Sequence, residues 1–173
     1  KKMITDVSTN ASLITPKIVE ELNKINLKMI HVSLDGNKEE HESVRGKNTY
    51  DPTIRGLNAL KKSKNKVRIG CVIHSNNENN LEEIINTSKS LSNEIIFSIM
   101  ETVSNQDRSQ VKKRDNQDLL NELDNLKDKY KDSINVNYNF KAQPNFIKRC
   151  PAGDKFLYIN NLGNISPCTW VYE

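Results

Sequence analysis

Met29-Ile30-His31-Val32-Ser33-Leu34-Asp35-Gly36 is the stretch that decides the fold. Met29 to Leu34 is rich in β-branched side chains, which favour a pleated backbone, and Asp35-Gly36 breaks the run. A polar loop follows, with Arg45-Gly46 in a loop or short helix, before Asp51-Pro52 opens a helix carrying Ile54, Leu57 and Leu60. The same strand-then-helix unit recurs on either side. Upstream, Met3 to Ser8 reads as a strand, and Thr15-Pro16 caps and starts a helix with Ile18, Val19, Leu22 and Ile25 at helical spacing. Downstream, Val67 to Ile73 is a third strand. Leu81, Ile84, Ile85, Ser88 and Leu91 share one helix face, and Glu94 to Met100 is a fourth strand. The strands are near-continuous apolar runs, the pattern of parallel strands covered on both faces. About four right-handed βα units are too few for an eight-unit barrel, so an open sheet or part of a barrel is expected.

After a polar stretch from Glu101 to Asn116, Leu119, Leu120, Leu123, Leu126 and Tyr130 mark a last amphipathic helix. The texture then changes. Ile134 to Phe140 is strand-like, and Lys155 to Asn160 with Gly163 to Ser166 reads as a hairpin turning at Asn161 to Gly163. Both ends of the chain fall beside core-like elements, which implies a piece of a longer protein.

The 173 residues suit one domain, or one and part of another. Hydrophobic residues make up 35% and charged ones 28%, excluding disordered and collagen-like classes. No apolar run can cross a bilayer and no signal peptide is visible, so a cytoplasmic protein without a membrane partner is expected. The net charge of +4 comes from 26 basic and 22 acidic residues spread along the chain. That is unlike a nucleic-acid binder, and the Lys61 to Arg68 basic run reads as a solvated surface. The many asparagines, such as Asn76-Asn77 and Asn79-Asn80, are explained as easily by an AT-rich coding sequence as by function.

Ligands of parallel α/β sheets bind at the carboxyl ends of the strands. There the chain offers Thr9-Asn10-Ala11, Ser33-Leu34-Asp35-Gly36 and Arg45-Gly46. A guanidinium grips a carboxylate, and a carboxylate accepts from ribose-type hydroxyls, although Ser, Asp and Gly are also ordinary loop and cap residues. Cys71, inside a strand, reads as a buried small hydrophobe. Cys150 and Cys168 bracket the hairpin, with twelve residues between Cys150 and Gly163 and four between Gly163 and Cys168. They suit a cluster or metal, with a disulfide as the alternative. His31 reads as a satisfied sheet residue, while His74, at a strand end, is a candidate ligand contact. No nucleophile-elbow or phosphate-loop signature supports a hydrolase or nucleotide triphosphatase, and no Gly-rich loop supports a methyltransferase.

Taken together, Thr9-Asn10, Ser33-Leu34-Asp35-Gly36, Arg45-Gly46 and the Cys150, Gly163, Cys168 spacing resemble radical S-adenosylmethionine enzymes carrying a C-terminal SPASM or twitch extension. The resemblance spans essentially the whole chain. It implies an α/β fold in which residues 1–132 form about four βα units of a six-unit partial barrel and residues 133–173 open an auxiliary-cluster domain. It further implies that Ser33 and Arg45 hold the methionine carboxylate, with Thr9 and Asn10 beside the same ligand. Asp35 would lie near the ribose, and backbone around Ile96, Phe97 and Ser98 would flank the adenine. Cys150 and Cys168 become candidate ligands of an auxiliary four-iron four-sulfur cluster.

The family's defining Cys-x-x-x-Cys-x-x-Cys loop has no counterpart among Cys71, Cys150 and Cys168. Ala11 also replaces the Gly usual in the Thr-Asn-Gly turn, and Thr169 stands where sulfatase-maturing members carry Asp. The expectation is a fragment of an iron-sulfur oxidoreductase or maturase that cleaves S-adenosylmethionine and acts on a peptide or protein. The fragment alone is expected to be inactive, with no catalytic side chain of its own. An exposed sheet edge would let it dimerise. The competing expectation is a non-catalytic α/β ligand-binding or interaction module.

Overall fold

Five parallel strands stand side by side in chain order in the computed structural model, which describes residues 5–25, 27–100, 111–140, 157–160 and 162–167. They are β1 (Asp6–Thr9), β2 (Met29–Ser33), β3 (Val67–Ile73), β4 (Glu94–Ile99) and β5 (Asn135–Tyr138). The register pairs Ser8 with His31, Ser33 with Gly70, Gly70 with Ile96, and Ile96 with Asn137.

Between the strands run α1 (Pro16–Leu22), α2 (Lys38–Arg45), α3 (Tyr50–Leu60), α4 (Leu81–Ser88) and α5 (Asn116–Tyr130). Thr15 caps α1 by accepting from the Ile18 N–H, with Pro16 in the first turn where its missing N–H costs nothing. Only Val19 of α1 is buried; Ile18 and Ile25 lie on the surface. Leu57 and Leu60 of α3, Leu81, Ile84 and Ile85 of α4, and Leu119, Leu123 and Leu126 of α5 join Val19 in one core.

That core covers a single face of the sheet. Ile30, Val32, Ile69, Cys71, Ile73, Ile95, Phe97 and Val136 are buried in it, whereas His31, Ser33, Arg68, Gly70, Val72, Glu94, Ile96, Ser98 and Asn137 alternate with them and stay half-buried. The expected coverage of both faces is therefore corrected. Right-handed crossovers between strands laid down in sequential order put every helix on the same side, the geometry of a barrel wall. The fold is α/β, an arc of parallel (βα) barrel.

The strand from Asn135 to Tyr138 pairs parallel with β4 and so belongs to the sheet. The first compact unit accordingly runs Lys1–Gln143, past the division expected after residue 132, and the second is Pro144–Glu173. Within the second unit, β6 (Tyr158–Ile159) and β7 (Ile165–Ser166) form the expected antiparallel hairpin. Its turn uses Gly163 at φ 84°, and the Asn160 side chain accepts from the Leu162 and Asn164 N–H groups.

One close approach fixes how α3 sits on the loop after β1. A Cβ on Gly56 would lie 2.0 Å from the Ala11 carbonyl oxygen, so only glycine fits there. Ala11 itself has φ 58°, in the left-handed region, which explains why the Thr-Asn-Gly turn of the resemblance favours glycine.

Candidate functional site

The rim at the carboxyl ends of β1 to β4 is built around Asp35. Just beyond Ser33 the chain turns through Gly36 at φ 127°, and Asn37 starts α2 with a capping box. The Asn37 side chain accepts from the Glu40 N–H at 3.0 Å, and Glu40 Oε2 accepts from the Asn37 N–H at 2.8 Å. This helix is where sequence reading saw mainly loop, and it delivers Arg45 back to the rim.

Asp35 is fully buried. Its Oδ2 accepts from Arg45 Nε at 2.6 Å and its Oδ1 from the Val72 N–H at 2.8 Å. Its own N–H donates to His41 Nδ1 at 3.3 Å, and its carbonyl accepts from Asn77 Nδ2 at 2.8 Å. The carboxylate is thus turned inward. Its oxygens face Arg45 and β3, so the carboxylate holds the Arg45 guanidinium at the strand ends.

Asn77 ties the loop after β2 to the end of β3. Besides Asp35, its amide donates to the Val72 carbonyl at 2.9 Å and its oxygen accepts from the His74 N–H at 2.8 Å. His74 Nδ1 accepts from the Asn76 N–H at 3.2 Å, while its buried Nε2 has no partner among the described residues. Burial pushes the His41 and His74 ring pKa values down, against the opposing pull of Asp35. Both rings therefore serve as neutral acceptors for backbone N–H groups. Glu40, nearly buried, accepts from the Asn80 side chain.

The other predicted residues divide by face. Thr9, in register with Val32 on the helix side, accepts from the Ala11 N–H through its hydroxyl. The exposed Asn10 accepts from the Ser12 N–H and hydroxyl, and its carbonyl accepts from the Thr53 hydroxyl. Both shape the turn beside the rim. The Ser33 hydroxyl lies on the open face with no hydrogen bond among the described residues. Ile96 and Ser98 also line that face, while the Phe97 side chain is sealed in the core. Cys150 and Cys168 lie outside the described residues.

Arg45 commits only Nε to Asp35, and its side chain is 35% exposed. A guanidinium fixed by a buried carboxylate, at the end of the strand that carries the Ser33 hydroxyl, suits the carboxylate of an amino-acid ligand such as S-adenosylmethionine. An iron-sulfur cluster does not fit the described residues. No group of three or more His, Cys, Asp or Glu is placed among them to hold a metal. Cys71 is 1% exposed and burial raises its thiol well above the ordinary value. No helix among the described residues is long and apolar enough to cross a membrane.

His41, Asn77 and Asn80 are site residues that sequence reading missed. The Asn37 to Glu40 capping spacing followed by Gly46 was the available sign of α2. Asn77 had no sign of its own, being one asparagine among many.

The radical SAM superfamily profile matches residues 1–87. The AdoMet-dependent heme synthase of Methanosarcina barkeri (strain Fusaro / DSM 804) is 23% identical over 194 residues, covering 95% of this chain and 54% of that protein. The chain thus spans about half the length of this curated relative. Among solved structures, Streptococcus suis SuiB superposes with a TM-score of 0.73 at 20% identity, over 96% of this chain and 44% of SuiB. Native anSMEcpe with bound AdoMet and Kp18Cys peptide gives 0.59 at 22% identity, over 78% of this chain and 40% of that one. Both structures share the barrel-wall fold. With about half its length matched by the family profile, the chain belongs to the radical SAM superfamily.

Proposed function

We propose that this chain is the S-adenosylmethionine-binding part of an enzyme that reductively cleaves that molecule and abstracts hydrogen from a peptide or protein substrate. The observation that carries the reading is Arg45, fixed by the buried Asp35 at the end of the strand whose Ser33 hydroxyl makes no hydrogen bond among the described residues. Arg45 and Ser33 take the methionine carboxylate. Asp35 sets the direction of Arg45, Thr9 and Asn10 form the adjoining turn, and Ile96 and Ser98 present the wall for the adenine while Phe97 anchors that strand. When bound, S-adenosylmethionine supplies the radical chemistry, and these residues hold and orient it.

The three cysteines, at 71, 150 and 168, do not make the Cys-x-x-x-Cys-x-x-Cys loop. The 173-residue polypeptide by itself therefore does not generate the radical. Cys150 and Cys168 are proposed as ligands of an auxiliary four-iron four-sulfur cluster in a SPASM or twitch extension, in a cytoplasmic enzyme. The outer edge of β1 pairs with no strand among the described residues, which supports dimerisation of the isolated chain through it.

The peptide in the anSMEcpe structure supports a peptide substrate. The heme synthase matched over 95% of this chain favours a second reading, a tetrapyrrole. Calorimetric titration of the chain with S-adenosylmethionine tests the assignment. Arg45→Ala and Ser33→Ala should each weaken binding, the loss of a charge-assisted contact costing about 1.5 to 3 kcal/mol. Unchanged affinity in both variants would remove it.

A further inference from the structure

At the amino ends of the strands, opposite Arg45, lies a feature that the site above does not use. Residues 52–77 carry six basic side chains, Arg55, Lys61, Lys62, Lys64, Lys66 and Arg68, and no Asp or Glu. The fold bends the middle of this run into a groove. The loop from α3 to β3 and the loop from α4 to β4 enclose a cavity of about 520 Å³, lined by Lys61, Lys66 and Lys89 together with the apolar Leu60, Val67 and Leu91. Part of the run that reads from sequence as a solvated surface therefore converges with a lysine of the next βα unit.

The walls are pinned by the neutral polar groups of the two loops. Asn23 Oδ1 accepts from the Lys64 N–H at 2.7 Å and from the Ser63 hydroxyl at 3.1 Å, and Asn65 Nδ2 donates to the Leu22 carbonyl at 2.9 Å. The Ser92 hydroxyl donates to the Val67 carbonyl at 2.8 Å, joining the second loop to the foot of β3. The lysine charges are left over. The Lys61 and Lys66 side chains have no hydrogen bond or ion pair among the described residues. Lys89 Nζ donates to Asn86 Oδ1 at 2.7 Å and lies 5.3 Å from the Tyr130 ring centroid, both neutral partners. Of the described lining residues only Glu94 carries a carboxylate, and Arg68 and Asn137 hold it.

Helix ends account for part of the set. Lys61 and Lys89 cap the carboxyl ends of α3 and α4, where a cation offsets the last carbonyls. Lys66, at the foot of β3, answers to no such end. Unneutralised charges of one sign around a concavity repel one another and concentrate counter-ions there. Lysine is a point charge on a flexible stem, unlike the planar guanidinium fork that matches a carboxylate, so several lysines suit an anion whose charge is spread over tetrahedral groups. The volume falls within the roughly 300 to 1,000 Å³ of small-molecule sites, and the apolar lining can carry the body of such a ligand. We propose that this groove binds a small molecule carrying two or more phosphoryl groups, with Lys61, Lys66 and Lys89 as its counter-charges.

Calorimetric titration of the 173-residue chain with pyrophosphate and with ADP, in magnesium-free buffer, tests the site. Both should bind saturably, and more weakly as salt is raised. Tighter binding of ADP would assign a nucleotide, whereas equal or tighter binding of pyrophosphate would assign an inorganic oligophosphate. Lys61→Gln, Lys66→Gln and Lys89→Gln combined should weaken binding about tenfold or more, and Lys66→Gln alone about threefold. All three lysines are exposed, so these variants should keep the wild-type melting temperature closely. Removing the same charge elsewhere, with Lys17→Gln, Lys47→Gln and Lys127→Gln combined, should change the affinity less than about twofold. Arg45→Ala should leave it unchanged. Absence of saturable binding, equal weakening in the two triple variants, or loss of binding in Arg45→Ala would overturn the site.

Discussion

On β3, Ile69, Cys71 and Ile73 are sealed beneath the helices, while Arg68, Gly70 and Val72, one residue away on the same strand, stand half-open. The contrast continues across β4, where Ile95 and Phe97 are buried and Glu94, Ile96 and Ser98 are not. One face is a packed core and the other a polar wall. A parallel sheet of this kind carries its stability and its chemistry on opposite sides, so substitutions on the two faces should separate in what they damage.

The largest expected effect is on the covered face. Phe97→Ala should cost about 3 to 5 kcal/mol in urea unfolding, through lost burial and the cavity left behind. Ile96→Ala, its neighbour on the open face, should cost roughly 1 kcal/mol or less. Equal losses would mean that the open face is packed too. At the rim, Asp35→Ala should destabilise by roughly 1 to 3 kcal/mol, because it orphans the Val72 N–H as well as releasing Arg45.

Acid should loosen the rim next. His41 and His74 have pKa values lowered by burial, so the unfolded chain takes up their protons first. Their contribution to stability is complete above the unfolded value near 6.5 and declines as pH falls below it, until the lowered folded values are passed. Urea midpoints measured from about pH 7.5 to about pH 5 should fall accordingly, and the fall should shrink in His41→Gln. The smallest expected effect is Ser33→Ala, within about 0.5 kcal/mol in unfolding, even as it weakens S-adenosylmethionine.

Much of the barrel wall was legible because apolar periodicity registers buried faces. β3 begins and ends at the residues the pattern marks, and α4 and α5 bury the side chains it selects except Leu120, which stays half-buried. The one-sided covering was also written there, in Arg68 and Gly70 alternating with Ile69 and Cys71, but short apolar runs blur that alternation. Helix α2 escaped because the residues it buries are Glu40 and His41. Polar burial has no hydrophobic period to betray it. The site was legible as residue types at strand ends and illegible as geometry. Ser33, Asp35 and Arg45 were visible, but the inward turn of the Asp35 carboxylate depends on the Val72 N–H, supplied by a strand 37 residues away. Asn77 illustrates the same limit, since its bonds to Asp35, Val72 and His74 exist only once two loops meet.

The sequential strand order has a consequence for how the chain acquires its structure. Each strand pairs with the strand that precedes it in the sequence, so no pairing within the sheet waits for a distant segment. Loop closure for each new strand spans only one crossover, which keeps its entropic cost modest. Such a wall can be laid down one unit at a time from the amino-terminal side as synthesis proceeds, each strand serving as the template for the next. The growing edge at every stage is a row of unsatisfied backbone groups. Folding speed and the hazard of pairing with the wrong chain are therefore set by the same feature, and a pause in translation within a crossover would prolong the exposure of whichever edge had just formed.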